Sequence, residues 1–220
     1  RVLEIFRVAR KSRFPVAAFE FFTERCLKEV ERNDLGRSPF EGRAEVYCLV
    51  ELEGDRDDPH LMSFLGDALS LEGVTDGVLA SSSKQEHELW ALRENITESL
   101  SHRGLVHKDD VSVPVARLAD FVDALRTVFT GDGPLADLEV FLFGHIGDGN
   151  LHVNVLKPDD MDEMDFALKR EIVDETLGLI LAGQAGSVSA EHGIGLLKKA
   201  NLGFTRSPDE LEIFRQLKQV

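Results

Sequence analysis

The sequence predicts an α+β fold, with antiparallel sheet(s), helices on one face and ferredoxin-like βαβ halves. Three observations lead there. Stretches of two-residue and of 3.6-residue apolar period alternate along the chain. Two strand patterns, 138–145 and 151–156, follow each other across a short glycine-bearing loop, which asks for an antiparallel pair. An apolar content of 43% over 220 residues can build a sizeable core, in one large domain or two small ones.

Taken in order, Val2, Leu3, Ile5, Phe6 and Val8 lie at helical spacing, and that helix stops near 12–15. Residues 16–22 are apolar enough for a buried strand, 24–32 read as a helix, and 34–43 as a loop rich in Gly, Ser and Pro. Val46, Cys48, Val50 and Leu52 alternate as a half-buried strand should. Asp58-Pro59 opens a helix with Leu61, Phe64, Leu65, Ala68 and Leu69 facing inward. A short strand at 77–82 precedes one long helix over 84–102. Further on, 110–114 is extended and 116–129 is an amphipathic helix. After the 138–156 strand pair come a helix over 162–182, a strand over 187–191, a short helix over 196–201 and a last helix opened by Ser207-Pro208-Asp209-Glu210.

Composition excludes several classes. A net charge of −15 lacks the basic stripe that nucleic acid requires, although it leaves room for a local anion pocket. No apolar run approaches the roughly 18 residues of a membrane span. No signal peptide is visible, and a cytoplasmic protein is expected, or a mitochondrial one if eukaryotic. Cys26 and Cys48 form no CxxC pair and read as reduced thiols. The chain lacks HExxH, a P-loop, GxSxG and a strand-linked GxGxxG, which disfavours a zincin protease, a phosphate-cradling NTPase, an α/β-hydrolase and a dinucleotide fold.

The chemistry concentrates in two stretches. GHIGDGNLH (144–152) sets His145 and His152 on either side of a turn in which Gly147 and Gly149 permit positive φ. Strand alternation then puts His152 and Asn154 on one face. SAEHGIG (189–195) adds Glu191 and His192, neighbours that reach one cleft only from irregular backbone. Two imidazoles and a carboxylate suit a divalent metal with an open coordination position, which implies chemistry on a bound substrate. The ligand set that fits is His145, His152 and Glu191, with His192 beside it as a base. Arg93 and Thr97, four apart on the 84–102 helix, share a face and offer a planar fork and a hydroxyl to a carboxylate, with Lys108 just beyond.

Five stretches together carry a family resemblance: AFEFF (18–22), LWALRENITE around Arg93 and Thr97, KDDVSVP (108–114), GHIGDGNLHVNV (144–155) and SAEHGIGLLK (189–198). They resemble the C-terminal, substrate-binding domain of FAD-linked oxidases of the vanillyl-alcohol oxidase type. That group includes oxidisers of D-2-hydroxyglutarate, D-lactate and glycolate. The resemblance implies the C-terminal domain fold of these oxidases, cut at both ends over 1–220, without the N-terminal FAD-binding domain that would be its partner. It implies zinc on residues matching His145, His152 and Glu191, substrate contacts at Arg93, Thr97, Lys108 and Asn154, and a base at His192. The implied reaction turns a small D-2-hydroxyacid, D-2-hydroxyglutarate or D-lactate at best guess, into a 2-oxoacid with hydride passing to FAD. The electron acceptor is open, a homodimer is compatible, and the isolated chain is expected to be inactive. Where the family usually carries an aromatic residue after the lysine, this chain has Asp109. A flavin-independent metal hydrolase or lyase, and a non-catalytic interaction domain of the same fold, are the alternatives.

Overall fold

The computed structural model describes residues 1–219. The chain divides into two compact units, one made of Arg1–Gly104 and Phe141–Gly147, the other of Leu105–Val140 and the chain from Asp148 onward. Both combine antiparallel strands with helices.

In the first unit, β1 (Val16–Thr23) runs antiparallel to β2 (Val46–Leu52), with Val16 opposite Leu52 and Thr23 opposite Val46. Along its other edge β1 pairs antiparallel with β4 (Glu139–His145), Glu20 opposite His145 and Phe22 opposite Phe143. Residues 19–22 of β1 are all buried, so both faces of this central strand are covered, as its run of phenylalanines requires. Helices α1 (Val2–Lys11), α2 (Glu24–Arg32), α3 (His60–Leu69), α4 (Ser83–Glu94) and α5 (Ile96–Arg103) complete the unit. Cys26, Leu27, Val30, Ile96 and Leu100 are fully buried, and the Phe6 and Phe19 rings meet edge to face at 5.1 Å. Both cysteines are free thiols; burial pushes Cys26 up to about 11 and Cys48 up to about 12.

Two expectations are corrected here. The single helix over 84–102 is two helices meeting at Asn95, where the backbone sits at φ −81°, ψ 1° and the side-chain amide donates to the Leu35 carbonyl at 2.7 Å. An asparagine that bonds outside its own helix in this way competes with helical pairing. The strand expected at 77–82 finds no ladder partner. Its last residue, Ser82, instead caps α4 by accepting the Gln85 N–H at 3.2 Å.

In the second unit, β3 (Val106–Ser112) runs antiparallel to β5 (Asn150–Leu156), Val106 opposite Leu156 and Ser112 opposite Asn150. The helices are α6 (Leu118–Thr130), α7 (Glu163–Gly183), α8 (Leu202–Thr205) and α9 (Pro208–Leu217), the last opened by a reciprocal capping box between Ser207 and Glu210. Phe121, Leu125, Leu151, Val153, Val155 and Phe166 form the centre of its core. The strand expected at 187–191 shrinks to one bridge between Ser112 and Ser187, and the helix expected at 196–201 gives way to turns. Gly193 and Gly195 adopt φ of +75° and +49°, which neither a regular strand nor a right-handed helix continues. The turn before β5 takes its positive φ at Gly149 (+75°) and not at Gly147; a Cβ there would fall 2.0 Å from the Val113 carbonyl oxygen. Among the described residues, no helix is long and apolar enough to cross a membrane.

Candidate active site

Residues directly opposite in an antiparallel ladder point to the same side. In β3 and β5, Lys108 stands opposite Asn154, and Asp110 opposite His152. These four side chains therefore form a two-by-two polar block on one face of the ladder, bounded by Ser112 opposite Asn150. Lys108 is exposed, whereas Asn154 and Asp110 are 3% and 1% exposed. Such burial of polar groups is costly unless something bonds them. Asp110 Oδ1 and both amide atoms of Asn150 are nonetheless buried without a hydrogen-bond partner among the described residues. Orphaned donors and acceptors on one polar face are what a ligand-binding surface leaves behind.

The other oxygen of Asp110 is committed. Its Oδ2 accepts the backbone N–H groups of Glu191 and His192 at 2.8 and 2.9 Å. Burial alone would raise the Asp110 carboxyl; the two N–H donors, His192 first, override it and hold it below its ordinary value. These bonds fix the irregular backbone that two neighbouring side chains need in order to serve one cleft. The His152 and His192 rings stack with centroids 5.9 Å apart, and the Nδ1 of each lies 3.8 Å from an Asp110 oxygen. Asp110, His152 and His192 offer ligand atoms all within 4.8 Å of one another. An anionic carboxylate with two imidazoles is a donor set that suits a divalent cation such as zinc. Glu191 is exposed at the rim, and His192 keeps 66% of its side chain accessible.

In the first unit, His145 Nδ1 lies 2.7 Å from Glu20 Oε1, and Arg93 Nε donates to Glu20 Oε2 at 2.9 Å. The guanidinium also lies over the Phe143 ring at 4.6 Å. A carboxylate at Nδ1 favours the ring proton there and fixes the orientation of the imidazole. The Arg93 charge is thus paired inside the protein before any substrate arrives. Thr97 stands exposed on α5, beyond the break at Asn95, so the argument that one continuous helix carries both Arg93 and Thr97 does not hold.

On the opposite face of the β3–β5 ladder, Asp109 lies between cationic groups. Its oxygens meet His107 Nε2 at 3.0 Å and Lys198 Nζ at 3.2 Å, and His107 Nε2 reaches Asp174 at 2.9 Å. Burial works against the charged His107 ring, but Asp109 and Asp174 raise it to about 9. Burial likewise works against the Asp109 carboxylate, and His107 and Lys198 hold it below its ordinary value.

Two residues of this arrangement escaped sequence reasoning. Glu20 had a signal, a lone carboxylate in the apolar stretch AFEFF, which is rarely buried unless paired. Asp110 had one too, since alternation from Lys108 puts it on the face of the lysine once a strand is assigned as far back as Val106.

Comparison with known proteins places the chain in a family. The family described as FAD linked oxidases, C-terminal domain, matches residues 1–220. A mitochondrial D-2-hydroxyglutarate dehydrogenase of Bos taurus is 42% identical over 99% of this chain and 39% of its own length. D-2-hydroxyglutarate dehydrogenases of Stutzerimonas stutzeri and Xanthomonas citri are 37% and 38% identical, over 96% and 100% of this chain and 46% of each relative. The chain therefore spans less than half the length of these relatives. With the match running from end to end, the chain belongs to the FAD-linked oxidase C-terminal domain family.

Proposed function

We propose that this chain is the substrate- and metal-binding part of a flavin-dependent D-2-hydroxyacid dehydrogenase, with D-2-hydroxyglutarate as the first substrate to test and D-lactate the second. The observation that carries this reading is the polar block of Lys108, Asp110, His152 and Asn154, with His192 stacked beside it. Its relatives, D-2-hydroxyglutarate dehydrogenases, suggest the reaction class.

In this reading His145, His152 and Glu191 hold a divalent cation, zinc by the chemistry of two imidazoles and a carboxylate. His145 and His152 are separated by only six residues of chain, and the Glu20 carboxylate holds the His145 ring from its Nδ1 side. A divalent cation held by these residues would supply Lewis acidity toward a substrate hydroxyl. FAD, held mainly by the N-terminal domain of a longer parent chain, would supply the hydride acceptor. The chain's own residues do the rest. The Lys108 ammonium, exposed and beside Asn154, takes a substrate carboxylate, and the Asn154 amide adds a directional hydrogen bond. Arg93 and Thr97 are the candidates for a second carboxylate, Arg93 through the part of its fork that Glu20 does not use. His192, tied by its backbone to Asp110 but open at its ring, receives the hydroxyl proton as general base.

The test is metal analysis of the purified chain and of His152→Ala, paired with oxidation of D-2-hydroxyacids by the flavin-bearing parent using an artificial acceptor. One bound zinc in the wild type, lost in His152→Ala together with at least 10³-fold in rate, is the expected result. Metal and rate both unchanged in His152→Ala would overturn the assignment.

A further inference from the structure

We infer that Asp110 is a positioning residue that sets the metal-facing side chains of the second unit from a single carboxylate. The inference rests on the metal reading proposed above and extends it to a residue outside the ligand set. One oxygen of Asp110 holds the backbone of residues 191 and 192 through two N–H bonds of 2.8 and 2.9 Å. The other oxygen faces Nδ1 of His152 at 3.8 Å and has no hydrogen-bond partner among the described residues. The carboxylate is 1% exposed, so it cannot exchange these contacts for water.

The division of labour follows from hydrogen bonding at one oxygen and from charge at the other. A carboxylate that accepts two successive backbone N–H groups fixes the direction in which both residues leave the chain, here a proposed ligand and the proposed base. A carboxylate facing one nitrogen of an imidazole favours the proton on that nitrogen and leaves the other as donor to a cation. Asp110 does both because the ladder register sets it directly opposite His152, while the bridge of Ser112 to Ser187 returns the chain alongside β3 four residues before Glu191. Lys198 reinforces the arrangement from its far end, its Nζ donating to the Val188 carbonyl at 3.0 Å.

Zinc titration of the chain separates this role from ligation and from the reading beneath it. Asp110→Ala removes both functions, and affinity for zinc alone is expected to fall about 100-fold. Asp110→Asn keeps an oxygen for the two N–H groups but loses the charge facing His152, and affinity is expected to fall about 10-fold. Amide exchange at residues 191 and 192, followed in the metal-free chain, is expected to accelerate in Asp110→Ala and to stay near wild type in Asp110→Asn. That pattern of partial rescue is foreign to a merely structural residue; should Asp110→Ala fail to fold, the Asn variant alone still decides. Asp110→Asn abolishing zinc binding as fully as His152→Ala makes Asp110 a ligand and overturns the inference. Unchanged affinity in both Asp110 variants, with His152→Ala still losing the metal, overturns it and leaves the metal reading standing. A wild-type chain that binds no zinc ends both.

Discussion

Asp109 and Asp110 are neighbours in one strand, both more than nine-tenths buried, and their surroundings could hardly differ more. On one side of the β3–β5 ladder, Asp109 is answered by an ammonium and an imidazole, and Asp174 completes the neutralisation. On the other side, Asp110 has no lysine or arginine side chain within ion-pair distance among the described residues, only two backbone N–H groups, two histidines at 3.8 Å and one oxygen left over. A buried carboxylate with matched countercharges is a structural device. A buried carboxylate flanked only by histidines and backbone N–H groups has no permanent countercharge beside it. The difference shows how one strand can give its two faces opposite electrostatic surroundings, one internally neutralised and one not.

The comparison breaks most visibly on the functional side. Replacing His192 by Ala is expected to spare metal binding and to lower kcat of the flavin-bearing parent by about 10³-fold, the range of a lost general base. If kcat is unchanged, His192 is not the base. On the structural side, replacing Asp109 by Ala leaves Lys198 with only carbonyl partners and His107 with only Asp174, and is expected to cost about 3 kcal/mol of unfolding free energy, the low end for breaking one partner of a buried pair. Urea unfolding measures it, and zinc affinity should change far less than in Asp110→Ala. Equal effects of the two substitutions on metal would erase the distinction between the faces.

Most of the fold was legible, and the failures have local causes. The helix 24–32, both strands of the 138–156 stretch and the capping box at Ser207 follow from periodicity and capping chemistry alone. The long helix over 84–102 was misread because Asn95 looks neutral in sequence, and only its bond to Leu35, sixty residues away, ends α4. The strand at 187–191 was misread because alternation says nothing about whether a partner exists; a single bridge at Ser187 is all that forms. At the site, the pairing of His152 with Asn154 on one face followed from alternation. The carboxylates behind the histidines did not, because Glu20 and Asp110 act through contacts 125 and 82 residues distant in the chain.

The structural face also makes a pH-dependent claim, no larger than the substitutions but the sharpest in sign. His107 Nε2 sits between two carboxylate oxygens at 3.0 and 2.9 Å. Arg170 Nε faces the other ring nitrogen at 3.2 Å and works against a second proton, but one guanidinium is outweighed by two nearer carboxylates. The ring therefore stays protonated in the folded chain up to about 9, against roughly 6.5 for an unfolded histidine. Between those values the native state holds a proton that the unfolded state has released, so unfolding free energy falls as pH rises. The contribution is complete below about pH 6.5, declines through the interval and is gone above about pH 9, on the order of 3 kcal/mol in all. His107→Gln cannot titrate and should lose that slope while keeping a neutral hydrogen-bonding side chain between the aspartates. Unfolding curves at three pH values across the interval decide it: parallel declines in wild type and His107→Gln would show that the ring carries no stabilising charge.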